Sequence, residues 1–428
     1  MSIDRTIAPP FGRIDKVDFV KHKEFKLDNG IPVYIVSAGN EEISRIELLF
    51  DAGDYRSGNA MVASTTNSML NEGTKQHTGL ELSEKIDYYG AFLETDAQQD
   101  FAYINLYSLN KHLEKVLPYY HEIVMESAFP QKEFETQMLN KKQSWTVNQE
   151  KVGYICRTNF YKYLFGTNHP YSTITKDEDF SSLTREELIS FYNANYKADS
   201  CRIIVSGKID DGMIGLLNRY FGSKDWASGT KSPVFSSNLI YPDTKKNFIE
   251  KEDAIQNAIR IGKRLFTKTH KDYIPMIVLN TVLGGYFGSR LMTNIREEKG
   301  YTYGIGSGVA SLLHEGMFVI STEVGAEVCS AALEEIYKEI NLLRTELIDE
   351  EELDLVKNYL LGAHLKSLDG PFAIADKFKG IMVYGLDYSY YDLFLDTVKN
   401  ITSERLLELA KTYLDPDSLF ELVVGKKV

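Results

Sequence analysis

The chain has 428 residues, 43% of them hydrophobic and 25% charged, with a formal net charge of -13 at pH 7. That composition supplies a packed core and excludes wholesale disorder, while the length asks for more than one core, two in the first instance. The acidic balance argues against nonspecific nucleic-acid or anionic-membrane binding, because either needs a cationic face that displaces counterions.

Residues 1–23 read as an N-terminal extension without an apolar h-region, and no stretch approaches the run of about 20 apolar residues that a membrane span requires. Together with the cysteines Cys156, Cys201 and Cys329, too scattered for a disulfide framework, this leads us to expect a cytoplasmic protein. The first lobe, residues 24–225, opens with a strand-turn-strand signal around Asp28-Asn29-Gly30. Apolar patterning then predicts a strand over 46–50, helices over 59–71 and 80–89, and a strand over 101–107. Thr184 caps a further helix, and residues 201–205 form a buried strand ending at a glycine.

Residues 226–247, with Ser228, Gly229, Ser232, Pro233, Ser236, Ser237 and Pro242 and no apolar period, read as a linker. In the second lobe, 248–428, strands are expected over 255–263 and 317–324, and helices over 273–283, 331–343 and 350–365. Residues 289–299 read as a helix ended by Gly300, with a strand from Tyr301 onward. The chain then repeats itself without a gap. Thr184, Glu186, Leu188, Asp199, Ser200, Val205 and Gly207 meet Thr402, Glu404, Leu406, Asp417, Ser418, Val423 and Gly425 in the same helix-turn-strand unit. Clustered rather than alternating strands and helices favour an α+β fold of two tandem homologous lobes, each a mostly antiparallel sheet packed with helices, over a doubly wound parallel sheet.

Chemical motifs are notable for what is missing. No G-x-x-x-x-G-K-[ST] loop or G-x-S-x-G elbow occurs, and Gly304, Gly306 and Gly308 miss the dinucleotide spacing. None of the eight histidines falls in H-E-x-x-H or H-x-x-E-H, the spacings that put two imidazoles on one helix face for zinc. The pairs His121-Glu122 and His314-Glu315 are expected to be solvated surface.

An ordered set of short motifs nevertheless resembles one family. Leu27-Asp28-Asn29-Gly30, Phe50-Asp51-Ala52-Gly53-Asp54, Met69-Leu70-Asn71-Glu72-Gly73-Thr74, Phe129-Pro130, His169-Pro170-Tyr171, Ser182-Leu183-Thr184, Gly284-Gly285, Ser289-Arg290-Leu291 and 296–303 follow one another as in the pitrilysin or insulinase-type zinc peptidases, which include the mitochondrial processing peptidases. The resemblance spans nearly the whole chain and implies two homologous lobes forming a clam-like chamber. It places the three functional positions of the inverted zinc motif at Ser64, Asn67 and Ser68, and the later glutamate ligand near Ser144. Hydroxyls and a carboxamide are poor zinc ligands, so this chain is expected to bind no zinc itself.

The resemblance also implies that Arg296 and Tyr303, seven positions apart, are the pair that reaches a zinc site and donates to the oxyanion of an attacked peptide bond. It points to a non-catalytic, substrate-binding subunit of a heterodimeric zinc metalloendopeptidase, whose homologous partner carries the zinc. Peptide substrates are expected along a strand edge near Tyr301, Gly304 and Ser307. Family members usually carry an Asn-Ala pair near Glu94 and Thr95, which this chain lacks. The alternative is a purely structural or peptide-binding homologue, like the core subunits of respiratory complexes.

Overall fold

The computed structural model describes residues 19–226, 239–242 and 244–427. Most of the predicted linker, including Ser228 to Ser237, lies outside them, as do residues 1–18 of the N-terminal extension. Asp28-Asn29-Gly30 makes the first turn because Gly30 takes φ +91°, its N–H reaches the Leu27 carbonyl at 2.8 Å, and the Asn29 side chain accepts from Ile31 N. Strands β1 (Lys23–Lys26) and β2 (Pro32–Ser37) flank it, so Lys23 belongs to the sheet rather than to the extension. With β3 (Ile43–Phe50), β4 (Phe92–Ala97), β5 (Ala102–Leu109) and β6 (Cys201–Gly207) they form a sheet in the order β1-β2-β6-β3-β5-β4.

The second sheet contains β7 (Lys246–Glu250), β8 (Gln256–Leu265), β9 (Ile305–Ser311), β10 (Gly316–Gly325) and β11 (Phe420–Gly425), in the order β7-β11-β8-β10-β9. Lys246 and Asn247, assigned by the sequence to the linker, open β7. The two sheets share one topology. In each a single parallel pair, β2 with β6 and β7 with β11, is followed by antiparallel neighbours. The repeat read from sequence is the local expression of this duplication. Thr184 and Thr402 cap their helices identically, each hydroxyl accepting from the backbone N–H three residues on at 3.3 Å. Gly207 and Gly425 end the matching strands with φ +126° and +157°, and a Cβ at Gly207 would stand 2.1 Å from the Ile43 carbonyl oxygen.

One face of each sheet packs on its own lobe's helices. Ile46, Leu48, Phe50, Ile104, Leu106, Ile203 and Val205 build the first core, and Ile259, Ile261, Phe318, Ile320 and Val423 the second. The opposite faces are covered by exchange. The Val152–Phe165 helix of the first half lies across β8 and β11, joining Cys156, Phe160 and Leu164 to Ala258, Leu422 and Val424. The Pro371–Met382 helix of the second half lies across β2 and β6, joining Ala375 to Val36 and Ile204. Among the described residues no helix is long and apolar enough to cross a membrane.

Candidate functional site

Ser64, Asn67 and Ser68 share one turn of the Val62–Met69 helix, which packs against the Gln131–Gln149 helix. Spacings of three and four residues put all three side chains on neighbouring faces; both hydroxyls and the Asn67 amide nitrogen are committed to protein groups, while Asn67 Oδ1 is buried without a hydrogen-bond partner among the described residues. Ser64 Oγ donates to the Met61 carbonyl at 3.3 Å and Ser68 Oγ to the Thr65 carbonyl at 3.2 Å. Asn67, 1% exposed, donates from Nδ2 to the Tyr196 hydroxyl at 3.1 Å and to the Tyr103 carbonyl at 3.5 Å. Ser144 is solvent-exposed on its helix. These residues do not fit a zinc ion: two back-bonded hydroxyls and a carboxamide supply no anionic or imidazole donor. Among the described residues no three His, Cys, Asp or Glu side chains converge as a metal site would require.

Two charged groups that the sequence reading passed over lie beside this helix. Burial pushes the Asp54 carboxyl up to about 7; the Lys141 charge pulls it back only in part, and the Asp96 charge adds to the rise. Asp54 Oδ1 is buried without a hydrogen-bond partner. Burial likewise lowers the Lys141 ammonium, against the attraction of Asp54. Asp54 stood among the residues carrying the family resemblance, yet its burial depends on the helix packing and has no local signature.

The arginine-tyrosine pair is differently placed. Arg296 sits on a wide π-helical turn, Met292–Glu298, where an α-helix was expected, and Gly300 at φ +66° closes it. The following strand begins at Ile305, not Tyr301, because the hydroxyl of Thr302 ties residues 302–304 into a loop by donating to the Glu323 carbonyl at 2.7 Å. Arg296 Nε donates to the Tyr303 backbone carbonyl at 2.9 Å, and its guanidinium lies 4.7 Å from the Phe287 ring centre. The Tyr303 ring is 96% exposed, and its hydroxyl makes no hydrogen bond to any described residue. Tyr303 is therefore exposed at the mouth of a cavity between the lobes, with the half-buried Arg296 holding its backbone from behind.

Of the expected peptide contacts, Gly304 lines that cavity, while Tyr301 is half-buried against the second core. Ser307 is not free as expected. The Asn280 side chain donates to its carbonyl at 3.2 Å, its hydroxyl donates to the Asn280 carbonyl at 3.3 Å, and Gly284 closes on it, so the outer edge of β9 is covered there. On the first lobe β4 is the edge strand; Glu94 Oε2 accepts from Asn105 Nδ2 at 3.0 Å, and Thr95 is half-buried. Of the two His-Glu pairs, His121-Glu122 is not solvated surface, whereas His314 is exposed and Glu315 half-buried. Glu122 is buried and accepts from the Thr74 hydroxyl while pairing with His77 Nδ1 at 2.9 Å. Glu315 is held by Arg264, and His314 stacks on Tyr55 at 4.1 Å between ring centres. The first pair is taken out of solvent, and Glu315 and His314 find their partners, through elements far away in sequence.

Comparison with known proteins agrees with this geometry. Residues 182–360 match the family described as the Peptidase M16 inactive domain. The chain is 23% identical over 361 residues to the uncharacterized zinc protease YmxG of Bacillus subtilis, covering 83% of this chain and 86% of that protein. It is 22% identical over 245 residues to the probable inactive metalloprotease YmfF of the same organism, covering 56% of each. The crystal structure of a peptidase M16 inactive domain from Pseudomonas fluorescens superposes with a TM-score of 0.84 at 24% identity, covering 95% of this chain and 98% of that one. A chain of complex III2 from Candida albicans, bound to Inz-5, superposes with a TM-score of 0.74 at 15% identity, covering 94% and 95%. Residues 182–360 thus match the peptidase M16 inactive domain, most of the chain is similar to a protein named as a zinc protease, and the chain contains no H-x-x-E-H motif.

Proposed function

We propose that this chain is the non-catalytic, substrate-gripping subunit of a heterodimeric zinc metalloendopeptidase, acting in the cytoplasm on peptides. Its homologous partner holds the zinc, and Arg296 and Tyr303 complete that partner's site. The observation that carries the reading is the phenol of Tyr303: almost wholly exposed, unpartnered, and held on a short loop by Arg296 and Thr302. A solvent-facing tyrosine whose backbone is fixed this firmly is arranged to donate outward, and a guanidinium beside it supplies positive potential where an oxyanion forms. Peptide would lie at the Tyr303-Gly304 rim, since the β9 edge at Ser307 is covered.

The test is hydrolysis of internally quenched peptides by the chain alone, by a zinc-bearing homologue from the same genome, and by the mixture. Activity is expected only in the mixture, with kcat lowered on the order of 100-fold by Tyr303→Phe or Arg296→Ala in this chain. Chelator-sensitive hydrolysis by the lone chain would refute the reading. A mixture indifferent to both substitutions would favour the second reading, a structural or peptide-binding homologue, which the likeness to a chain of a respiratory complex supports.

A further inference from the structure

The cavity whose rim carries Tyr303 has a volume of about 660 Å³ and lies between the lobes. Its walls are the start of the Val152–Phe165 helix, strands β8 and β10, and the 302–304 loop. Three cations, Lys151, Arg157 and Arg260, face one carboxylate, Glu323, in a chain that is otherwise strongly acidic. Arg260 projects from β8, mostly withdrawn from solvent, and makes no hydrogen bond or ion pair to any described residue. Arg157 has only a ring contact, its guanidinium 5.7 Å from the centre of Tyr154. Glu323 shares the cavity without neutralising them. Its carboxylate folds against the backbone of Gly153, where a Cβ would stand 2.1 Å from Oε1, and no ion pair joins it to either arginine.

The duplicated fold supplies an internal control. The corresponding cavity on the other sheet, about 470 Å³, is also walled by an exchanged helix and also contains cations. There the chain pairs two of the three: Arg45 is bidentate on Asp376, at 2.9 and 3.2 Å, and Lys379 reaches Glu47 at 2.7 Å, while Lys268 donates to the Gly380 carbonyl at 2.7 Å. Two guanidiniums close enough to repel, neither in an ion pair among the described residues and with Glu323 acting only at a distance, are costly for the chain in isolation. Burial, the largest effect, lowers the Arg260 pKa and the Arg157 charge lowers it further, against opposing effects of Cys156, Tyr161 and Glu323. A planar anion accepting from both removes that cost, because a guanidinium fork matches a carboxylate in a bidentate arrangement.

We propose that this cavity is a carboxylate-binding site, in which Arg157 and Arg260 clamp an acidic group of a peptide whose chain passes over Tyr303. The proposal rests on the reading that this chain grips peptides, and it adds the chemical class of the ligand. Peptide C-termini and glutamate side chains offer the same group, so the experiment uses four forms of one short peptide. It ends in Ala-Glu-Glu or Ala-Gln-Gln, each as free acid or amide, and is titrated into the full-length chain by calorimetry. The forms bearing carboxylate are expected to bind at least tenfold tighter than the Gln amide, with the advantage shrinking as salt rises. The Glu amide and the Gln acid show which carboxylate is read.

Arg157→Gln, on the exposed side of the helix, and Arg260→Gln should each remove about tenfold of the preference for the carboxylate forms over the Gln amide. Equal affinity for all four forms, or an Arg157→Gln protein that keeps the full preference, overturns the carboxylate site and leaves peptide gripping standing. No binding of any form overturns both.

Discussion

Asp54 has the most unusual electrostatics beside the Val62–Met69 helix. Its folded-state carboxyl titrates at about 7, against 3.8 when unperturbed, because burial disfavours its charge. The unfolded chain therefore releases this proton first, and the native protein binds more protons than the unfolded one between those values. Stability contributed by Asp54 is full below about pH 4 and declines as pH rises toward 7. Asp54→Asn, which cannot ionise, should stabilise the protein relative to the parent at pH 8 by on the order of 1–3 kcal/mol, seen as a higher melting temperature, and give no gain at pH 4. Melting scans at the two pH values check this; a gain at pH 4 as large as at pH 8 would mean the carboxylate is not the cause.

At the scale of elements, the exchanged helices dominate. The Pro371–Met382 helix brings Lys379 to Glu47 at 2.7 Å; Glu47 is fully buried, its second oxygen has no hydrogen-bond partner, and its next cation, Arg45, lies at 3.8 Å. Removing the ammonium leaves a buried carboxylate poorly compensated, so Lys379→Met should cost about 3–5 kcal/mol in urea unfolding. Adding Glu47→Gln should recover much of that loss, since the charge that needed a partner is gone. If the single and double variants are equally unstable, packing rather than charge explains the loss. Neither helix was predicted. Their residues carry apolar groups on more than one side, because they touch their own lobe and the opposite sheet at once, which blurs the period by which a surface helix is recognised.

For the whole molecule, each lobe completes the other. The hairpin tip after β9 docks on the first lobe, with Leu313 N–H donating to Asp100 at 2.8 Å and His314 stacked on Tyr55, and each half lends the other a helix. Deleting either half would uncover a sheet face containing Val36 and Ile204, or Ala258 and Leu422. Calorimetry of the full chain should therefore show one unfolding transition, and residues 24–225 produced alone should lack a cooperative one. Two separate transitions would show that the exchange contributes little.

Much of this organisation was legible in local sequence. Strands β3, β5, β8 and β10 and the paired helix-turn-strand units follow from alternation, capping threonines and terminal glycines, which act within a few residues. The ordered motifs carried the family resemblance, and that Ser64, Asn67 and Ser68 are poor zinc ligands was legible too, because ligand chemistry is a property of the side chain itself. Three things depended on the assembled chain: the exchange of helices between sheets, the covering of Ser307 by Asn280 and Gly284, and the meeting of Arg157 with Arg260. Each joins residues far apart in sequence, and whether a charge is paired, buried or left open to a cavity is decided only by what folding brings against it.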